Sequence, residues 1–418
     1  MQILLITLGS HGDVHPFIGL ALALQKRGHK VSLMTSGYFA PLIRSVGLDF
    51  LELGSKEEFD RISDNPDLWH PRKGLAVMSE SIGRYLPRMY ERISAYIEQH
   101  PQAIMIGSTL AWAARLVQEK RGTPLITVHL SPSTLRSVYD MTKIPHVPLG
   151  ARSPLWMKRT FFALADLLVL DRHFGKGLNA FRKTIGLPPA RKIVAEWWHS
   201  PLKVIGLWPD FFAPPQIDWP PNTVLAGFPL WDETDVTPLS REIEEFLSAG
   251  PPPIAFTPGS AMKHGNDFFR HAARACELTT MRGILLTRHR DQIPSHLPSS
   301  VAHFDYAPFS QLLPRCAMLV HHGGIGTTAQ ALAAGVRQIV VPFSFDQFDN
   351  AERSTRLQCA LSLPQKKFTP SELAQTIRRA QAQLDTGNLV DIADRIRANR
   401  GIEKACDQIE QLSGPAYA

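Results

Sequence analysis

The chain lacks the cysteine pattern of a stapled or metal-bound protein. Its four cysteines, Cys276, Cys316, Cys359 and Cys406, lie far apart with no close pair. That spacing argues against a disulfide framework and a thiolate metal site, and suits thiols packed as small apolar groups in a reducing cytoplasm. No block of five or six consecutive basic residues occurs, and no zinc-finger, basic-zipper or RNA-recognition signature, so nucleic acid is not an expected partner. Long hydrophobic runs are missing as well. The greasiest stretch, FFALADLLVL (Phe161–Leu170), is far short of a bilayer span and carries Asp166. The opening MQILLITLGS has no basic region before it and no small-residue cleavage site after it, so it reads as a buried strand rather than a signal peptide.

What is present is ordinary globular material: 418 residues, 44% hydrophobic and 20% charged, long enough for two domains. The formal charge of +7 is diffuse. It favours anionic partners such as phosphates or an acidic lipid surface, although a solvated basic surface is the simpler account of the net charge alone. Apolar strand-like runs alternate with helix-period segments in ILLITL, KVSLMT, AIMIG and LITVHL, and again in PIAFTPGS, GILLTR, VAHFDYAP, MLVHHGG and QIVVPF. Continuous apolar runs separated by helices predict parallel sheets buried on both faces. Between Trp208 and Pro238 the chain is rich in proline, which removes backbone donors, and the interdomain connection is expected there. The expected fold class is α/β, two doubly wound Rossmann-like domains facing a cleft, spanning 1–215 and 216–395, with a helical tail at 396–418 that can return to the first domain.

Four loops carry the chemistry. GSHGDVHP (Gly9–Pro16) follows the first strand, with Gly9 and Gly12 permitting a tight turn and Pro16 suited to the first turn of a helix. Its spacing is not GxGxxG, and no acidic residue stands where a dinucleotide fingerprint requires one. Asp13 is either a general base for an acceptor hydroxyl or a cap on the helix beginning near Pro16. His11 and His15 read as surface or cleft histidines. VHHGGIGTTAQALAAG (Val320–Gly335) ends a strand at Val320, and Gly323, Gly324 and Gly326 leave amides uncovered before a helix. Bare amides at a positive helix end favour a phosphate, and His322, Thr327 and Thr328 add donors; the plainer account is a glycine turn capped by Thr327. FTPGSAM offers Gly259 and Ser260 to the same anion, and PFSFDQFDNAER offers Asp346 and Gln347 as acceptor-rich groups for sugar hydroxyls.

Through GSHGDVHP and HHGGIGTT the chain resembles the UDP-glycosyltransferase superfamily of GT-B fold, including its sterol and antibiotic members. PDLWHP (Pro66–Pro71), LSPSTL, WWHSP, FFAPPQIDWP, GFPLWD and FDQFDNAER extend the likeness over nearly the whole chain. They bring it nearest to the rhamnosyltransferase subunits of rhamnolipid synthesis. The resemblance implies inverting, metal-independent transfer of a sugar from a UDP- or dTDP-linked donor, of the UDP-glucose or dTDP-rhamnose type, with no cofactor. The missing Asp-x-Asp motif agrees with the absence of a metal. It also implies Asp13 as the base, where many plant members carry histidine, and His322, Thr327 and Thr328 at the diphosphate. Tyr306 stands where a nucleobase-stacking aromatic is found. Gln330 replaces a ribose-binding glutamate of plant members, so a neutral amide stands in for a charge-assisted bond and uridine and thymidine both stay open. Gly12, Gly259, Ser260, Gly324, Gly326, Asp346 and Gln347 complete the expected donor site.

The implied acceptor is a hydrophobic alcohol such as a hydroxyacyl lipid, and a cytoplasmic location with peripheral association at the inner membrane face is an expectation of the same kind. Val77, Met78, Ile82, Tyr85, Leu86, Met89, Tyr90 and Ile93 fall at helical spacing, and Leu155–Leu170 is apolar almost all round. Core packing accounts for most of these residues, and the remainder can line an acceptor channel. Two other functions fit the same sequence: a noncatalytic nucleotide-sugar-binding subunit, and an epimerase or hydrolase of the same fold.

Overall fold

The computed structural model describes residues 1–70, 73–145 and 147–413. Pro71 of the PDLWHP stretch and the end of the 396–418 tail lie outside the described residues. Ile3, Leu4, Leu5 and Ile6 are wholly buried, as a strand covered on both faces must be. They form β1 (Gln2–Ile6), followed by β2 (Lys30–Ser36), β3 (Asp49–Gly54), β4 (Ile104–Ser108), β5 (Leu125–His129), β6 (Lys203–Gly206) and β7 (Thr223–Leu225). These make one sheet in the order β3-β2-β1-β4-β5-β6-β7, and every pairing is parallel. A second sheet holds β8 (Ile254–Thr257), β9 (Gly283–Leu286), β10 (Val301–Phe304), β11 (Met318–His321), β12 (Arg337–Val340) and β13 (Ala360–Ser362). Its order, β10-β9-β8-β11-β12-β13, is again entirely parallel. Both sheets are therefore doubly wound, as expected. Their order reverses beside β1 and between β8 and β11, and the glycine loops leave those same strand ends.

The chain divides into two compact units, one of Met1–Gly9, Pro16–Pro229 and Arg400–Ala418, the other of Ser10–His15 and Leu230–Asn399. The boundary lies at 229/230 rather than 215/216, because Thr223–Leu225 inside the proline-rich stretch joins the first sheet as β7 beside β6. The last segment changes units at Arg400 rather than 396. Up to that point Arg397 Nη1 donates to Ala333 O at 2.9 Å, holding the helix Thr386–Asn399 in the second unit. Arg400 then turns the chain through a left-handed φ of 51°. In the helix Gly401–Glu410, Asp407 and Glu410 accept from Arg27 Nη1 at 2.6 and 2.8 Å, and Lys203 Nζ donates to Gln408 O at 3.0 Å.

The helix Gly74–Gln99 buries Ile82, Leu86, Met89 and Ile93 in the core of the first unit, with Met78, Tyr85 and Tyr90 packed against that core. For this helix the core account holds. Leu155–Leu170 differs, because most of its large apolar side chains are exposed instead of packed. The helix Asp171–Thr184 crosses Gly74–Gln99 where two glycines meet, and a β-carbon on Gly177 would lie 2.8 Å from Gly83 Cα. In a free helix, Gly177→Ala would stabilise by about 1 kcal/mol. Here the backbones must part, and we expect the substitution to destabilise by about 1–3 kcal/mol. Urea unfolding checks the sign, and a raised midpoint would show that the helices separate without cost.

Candidate active site

Ser10–His15 and the carboxyl ends of β8, β9, β11 and β12 all belong to the second unit. The first helix runs from His11 to Lys26, so it begins before Pro16 and places Gly12 and Asp13 in its first turn rather than in a loop. Ser10 explains the early start: its N–H and Oγ both donate to Asp13 Oδ2, at 2.8 and 3.1 Å, reproducing half of a capping box. Pro16 then falls inside the helix and has no N–H to offer Gly12 O. Burial raises the Asp13 carboxyl to about 6, with the two Ser10 hydrogen bonds opposing the rise. Asp13 thus joins the helix cap and holds its proton more tightly than an ordinary carboxyl.

At the end of β11 two histidines divide the work. His321 is fully buried; Gly323 N–H donates to its Nδ1 at 3.2 Å, so Nε2 carries the hydrogen and donates to Gln338 Oε1 at 3.1 Å. It fixes the turn and is spoken for. His322 sits against bare backbone: a β-carbon on Gly324 would lie 2.4 Å from its Nε2, and one on Gly259 2.8 Å from its Cε1. Burial lowers its pKa to about 4, so the imidazole is neutral at physiological pH and keeps one N–H. Its Nδ1 and the hydroxyl of Thr328 are both buried and make no hydrogen bond among the described residues.

Gly324 is the N-cap of the helix Ile325–Ala333 and supplies no side-chain cap, which rules out Thr327 as the cap. The first-turn amides therefore carry the positive end of the helix without a side-chain cap from Gly324. A β-carbon on Gly326 would lie 3.7 Å from Gly12 Cα, so the turn holding Asp13 and this helix end are neighbours within the unit. Gly259, with φ of 100°, brings the end of β8 to the same place, with Ser260 exposed beside it.

Gln347 departs from expectation. Its Oε1 accepts from the N–H groups of Phe343 and Ser344, at 2.8 and 3.1 Å, so the oxygen expected to meet a sugar shapes its own loop instead. Asp346 Oδ2 accepts from Asn350 Nδ2 at 2.7 Å, and Asn350 also donates to Gly323 O at 2.9 Å, coupling this loop to the histidine turn. Gln330 is buried on the helix that begins at Ile325. Tyr306 donates its hydroxyl to Asp232 O at 2.6 Å, and burial pushes its phenol well above the usual value.

Arg288, just beyond β9, is a charged residue beside the expected site residues that the sequence does not single out. Its guanidinium lies 5.1 Å from the Tyr306 ring centroid, and its Nη1 is 2.8 Å from His11 Nε2. Arginine can only donate, so His11 accepts; burial, His15 and Arg288 together lower His11 to about 3. Glu233, held at a left-handed φ of 65°, places Oε1 2.9 Å from His15 Nε2 and 3.8 Å from Arg288 Nη2. His11, His15 and Glu233 each offer a ligand atom within 4.8 Å of the others, but the guanidinium already brings a positive charge to this group. The position of Arg288 after a strand in LLTRHR was the available signal.

Residues 3–140 match the glycosyltransferase family 28 N-terminal domain, and residues 281–406 match the erythromycin biosynthesis protein CIII-like C-terminal domain. The chain is 29% identical to O-mycaminosyltylonolide 6-deoxyallosyltransferase of Streptomyces fradiae, over 98% of this chain and 97% of that one. It is 30% identical to glycosyltransferase GtfE of Amycolatopsis orientalis, over 83% and 82% of the two chains. A sterol 3-beta-glucosyltransferase of Arabidopsis thaliana is 25% identical over 99% of this chain and 68% of its own. Among solved structures, the kitacinnamycin glycotransferase superposes with TM-score 0.75 at 21% identity, each chain 98% covered. The glycosyltransferase VinC, in complex with dTDP, superposes with TM-score 0.67 at 19% identity and 99% coverage of both chains. The fold is GT-B, and the chain belongs to the glycosyltransferase family that contains the antibiotic and sterol enzymes. It is a glycosyltransferase.

The site makes one prediction that needs no substrate. The Asp13 carboxyl should titrate near pH 6 in carboxyl-detected NMR of the whole protein. A midpoint in the ordinary carboxylate range, about 4, would show that water reaches it freely.

Proposed function

We propose that the chain transfers a sugar from a nucleoside-diphosphate donor, with inversion and without a metal, to a hydroxyl of a hydrophobic acceptor. The observation that carries this reading is the uncapped start of the helix Ile325–Ala333, with the buried, unpartnered His322 Nδ1 and Thr328 Oγ1 beside it. Such a place suits a diphosphate, whose oxygens accept from amides, hydroxyl and imidazole together.

In the step so read, Asp13 takes the proton of the acceptor hydroxyl as the acceptor oxygen forms its bond to the anomeric carbon. The bond from that carbon to the diphosphate oxygen breaks on the opposite face, and the nucleoside diphosphate departs with the electron pair. Negative charge grows on the leaving oxygens, so donors fixed in place before reaction contribute most at the transition state. A carboxylate titrating near 6 is ionised at neutral pH and still a stronger base than a solvated one. Gly12, Gly259, Ser260, Gly326 and Thr327 flank the diphosphate in this reading, and Tyr306 with Arg288 takes the nucleobase end. Gln330 and Asp346 take hydroxyls of ribose and sugar.

Thymidine fits the neutral Gln330 as well as uridine does, and rhamnose or glucose are the donor sugars proposed. The acceptor class rests on the names of the relatives, which act on a tylonolide and on sterols. Four free cysteines accord with a cytoplasmic setting.

Turnover with a dTDP- or UDP-sugar and an apolar alcohol should fall by about two to four orders of magnitude in Asp13→Asn, with donor affinity retained. In the wild type, kcat/KM should fall about tenfold per pH unit below pH 6, because the carboxylate and not the acid is the active form. Near-normal turnover in the asparagine variant would end the assignment. His322→Ala should weaken dTDP or UDP binding in calorimetry by roughly tenfold to a hundredfold, through loss of a donor to a charged group. Chelator should change neither binding nor rate, and restoration of a lost rate by magnesium or manganese would overturn the metal-free mechanism.

A further inference from the structure

The first half of one long helical rod is built inside out. The helix Leu155–Ala165 passes into a π-helical turn, Asp166–Leu170, and then into the helix Asp171–Thr184. The last part is conventional, with Phe174 and Leu178 buried against the core. The first part reverses the rule. Lys158 is 1% exposed and its Nζ donates to Ala151 O at 3.3 Å. Asp166 is 8% exposed and accepts both arms of Arg136, each at 2.8 Å. Outward instead point Trp156 at 67%, Leu167 at 66%, Leu164 and Leu168 at 49%, Val169 at 44%, and Leu155 and Met157 at 39% exposure. At helical spacing five of the seven, Trp156, Met157, Leu164, Leu167 and Leu168, fall in a stripe about 120° wide, and Leu155 and Val169 add exposed apolar surface beyond it. The ionic groups that could have faced water are tied inward, so the stripe is a fixed feature of the fold. A contiguous apolar face of this kind on a soluble protein marks a surface that is covered.

The surrounding charge says by what. Between residues 150 and 176 the acidic residues are Asp166 and Asp171. Asp166 is paired with Arg136, and the two carboxylate oxygens of Asp171 accept from the N–H groups of Lys192 and Ile193 at 2.8 and 2.9 Å. Glu196, which shares a recess with Leu167, is paired with Lys192 at 2.7 Å. The exposed charges of the segment are Arg152, Arg159, Arg172 and Lys176, all positive. A second copy on a two-fold axis would set this basic set against itself at cost. An anionic bilayer complements both the stripe and its rim.

We propose that this face docks laterally on an anionic lipid surface. Trp156, Leu164, Leu167 and Leu168 enter the boundary between headgroups and acyl chains, and the arginines and Lys176 lie against lipid phosphates. Among the described residues no helix is long and apolar enough to cross a membrane, so attachment is by this face. The inference does not depend on Asp13, His322 or the sugar donor, and it stands or falls separately from the transfer chemistry.

Co-sedimentation of the full chain with phosphatidylcholine vesicles, with and without about a third phosphatidylglycerol, tests it. Binding to the anionic vesicles should be at least about tenfold stronger and should weaken with added salt. The double variant Trp156→Glu/Leu167→Glu should lose it by about tenfold or more. Arg159→Gln/Arg172→Gln should lower binding to anionic vesicles alone. All positions lie on the surface, and circular dichroism melts of both variants should match the wild type. Three results would each overturn the proposal: equal weak binding to both vesicles, wild-type binding by the glutamate variant, or a dimer in light scattering that the glutamate variant dissociates.

Discussion

Around His322 two β-carbons are missing, and much of the second unit is arranged by that omission. The imidazole occupies space that any side chain at Gly259 or Gly324 would claim. To stay there it needs the strand ends of β8 and β11 side by side, which parallel pairing of Thr257 with His321 supplies. It also needs a turn that does not drift. His321 fixes the turn from within through Gly323 and Gln338, and Asn350 fixes it from the next loop through the Gly323 carbonyl. The polar atoms left over, Nδ1 of His322 and Oγ1 of Thr328, sit where an unmade hydrogen bond is expensive, so an anion bearing several acceptors has much to satisfy.

Strands with β-branched and aliphatic runs were legible in the sequence because burial on both faces leaves no alternative to apolar residues. Nine of the strands carry that mark. β3, β6, β7 and β13 do not. Asp49–Gly54 and Thr223–Leu225 are edge strands or lie near an edge, with polar or half-exposed positions, and Ala360–Ser362 is only three residues long. The TVL of β7 was also hidden by its proline-rich surroundings, which shifted the expected unit boundary. In the site, the glycines and histidines of the turn after β11 were legible through local constraint alone. Arg288 gave only the weaker signal of a position after a strand and Glu233 gave none, because their neighbourhood is assembled from segments far apart in sequence. Gln347 differs in that its Oε1 is already used by the N–H groups of its own loop, which the sequence did not signal.

At Asp13 a capping contact and a raised proton affinity coincide. Capping by Ser10 anchors the carboxylate through Oδ2, and the same burial that makes the cap rigid raises its proton affinity. The helix Leu155–Ala165 shows the converse compromise. Lys158 in it and Asp166 at the start of the π-helical turn are buried and held by polar partners, Ala151 O and Arg136, and the large side chains left outside are mostly apolar. The π-helical turn that follows inserts a local change of register, which lets an outward-facing apolar stripe continue into a helix packed by its opposite character.

The helix Gly401–Glu410 belongs to the first unit, although every residue of the second unit from Leu230 to Asn399 precedes it. On the ribosome, therefore, the unit begun first is the one finished last. Arg27, His29 and Lys203 emerge long before the groups at Gln408 and Glu410 that bind them. During synthesis the second unit can close around its own sheet, while the first waits with those basic groups unmatched. A stop codon or a nick just before Arg400 would then harm the half of the protein that lies furthest away in sequence.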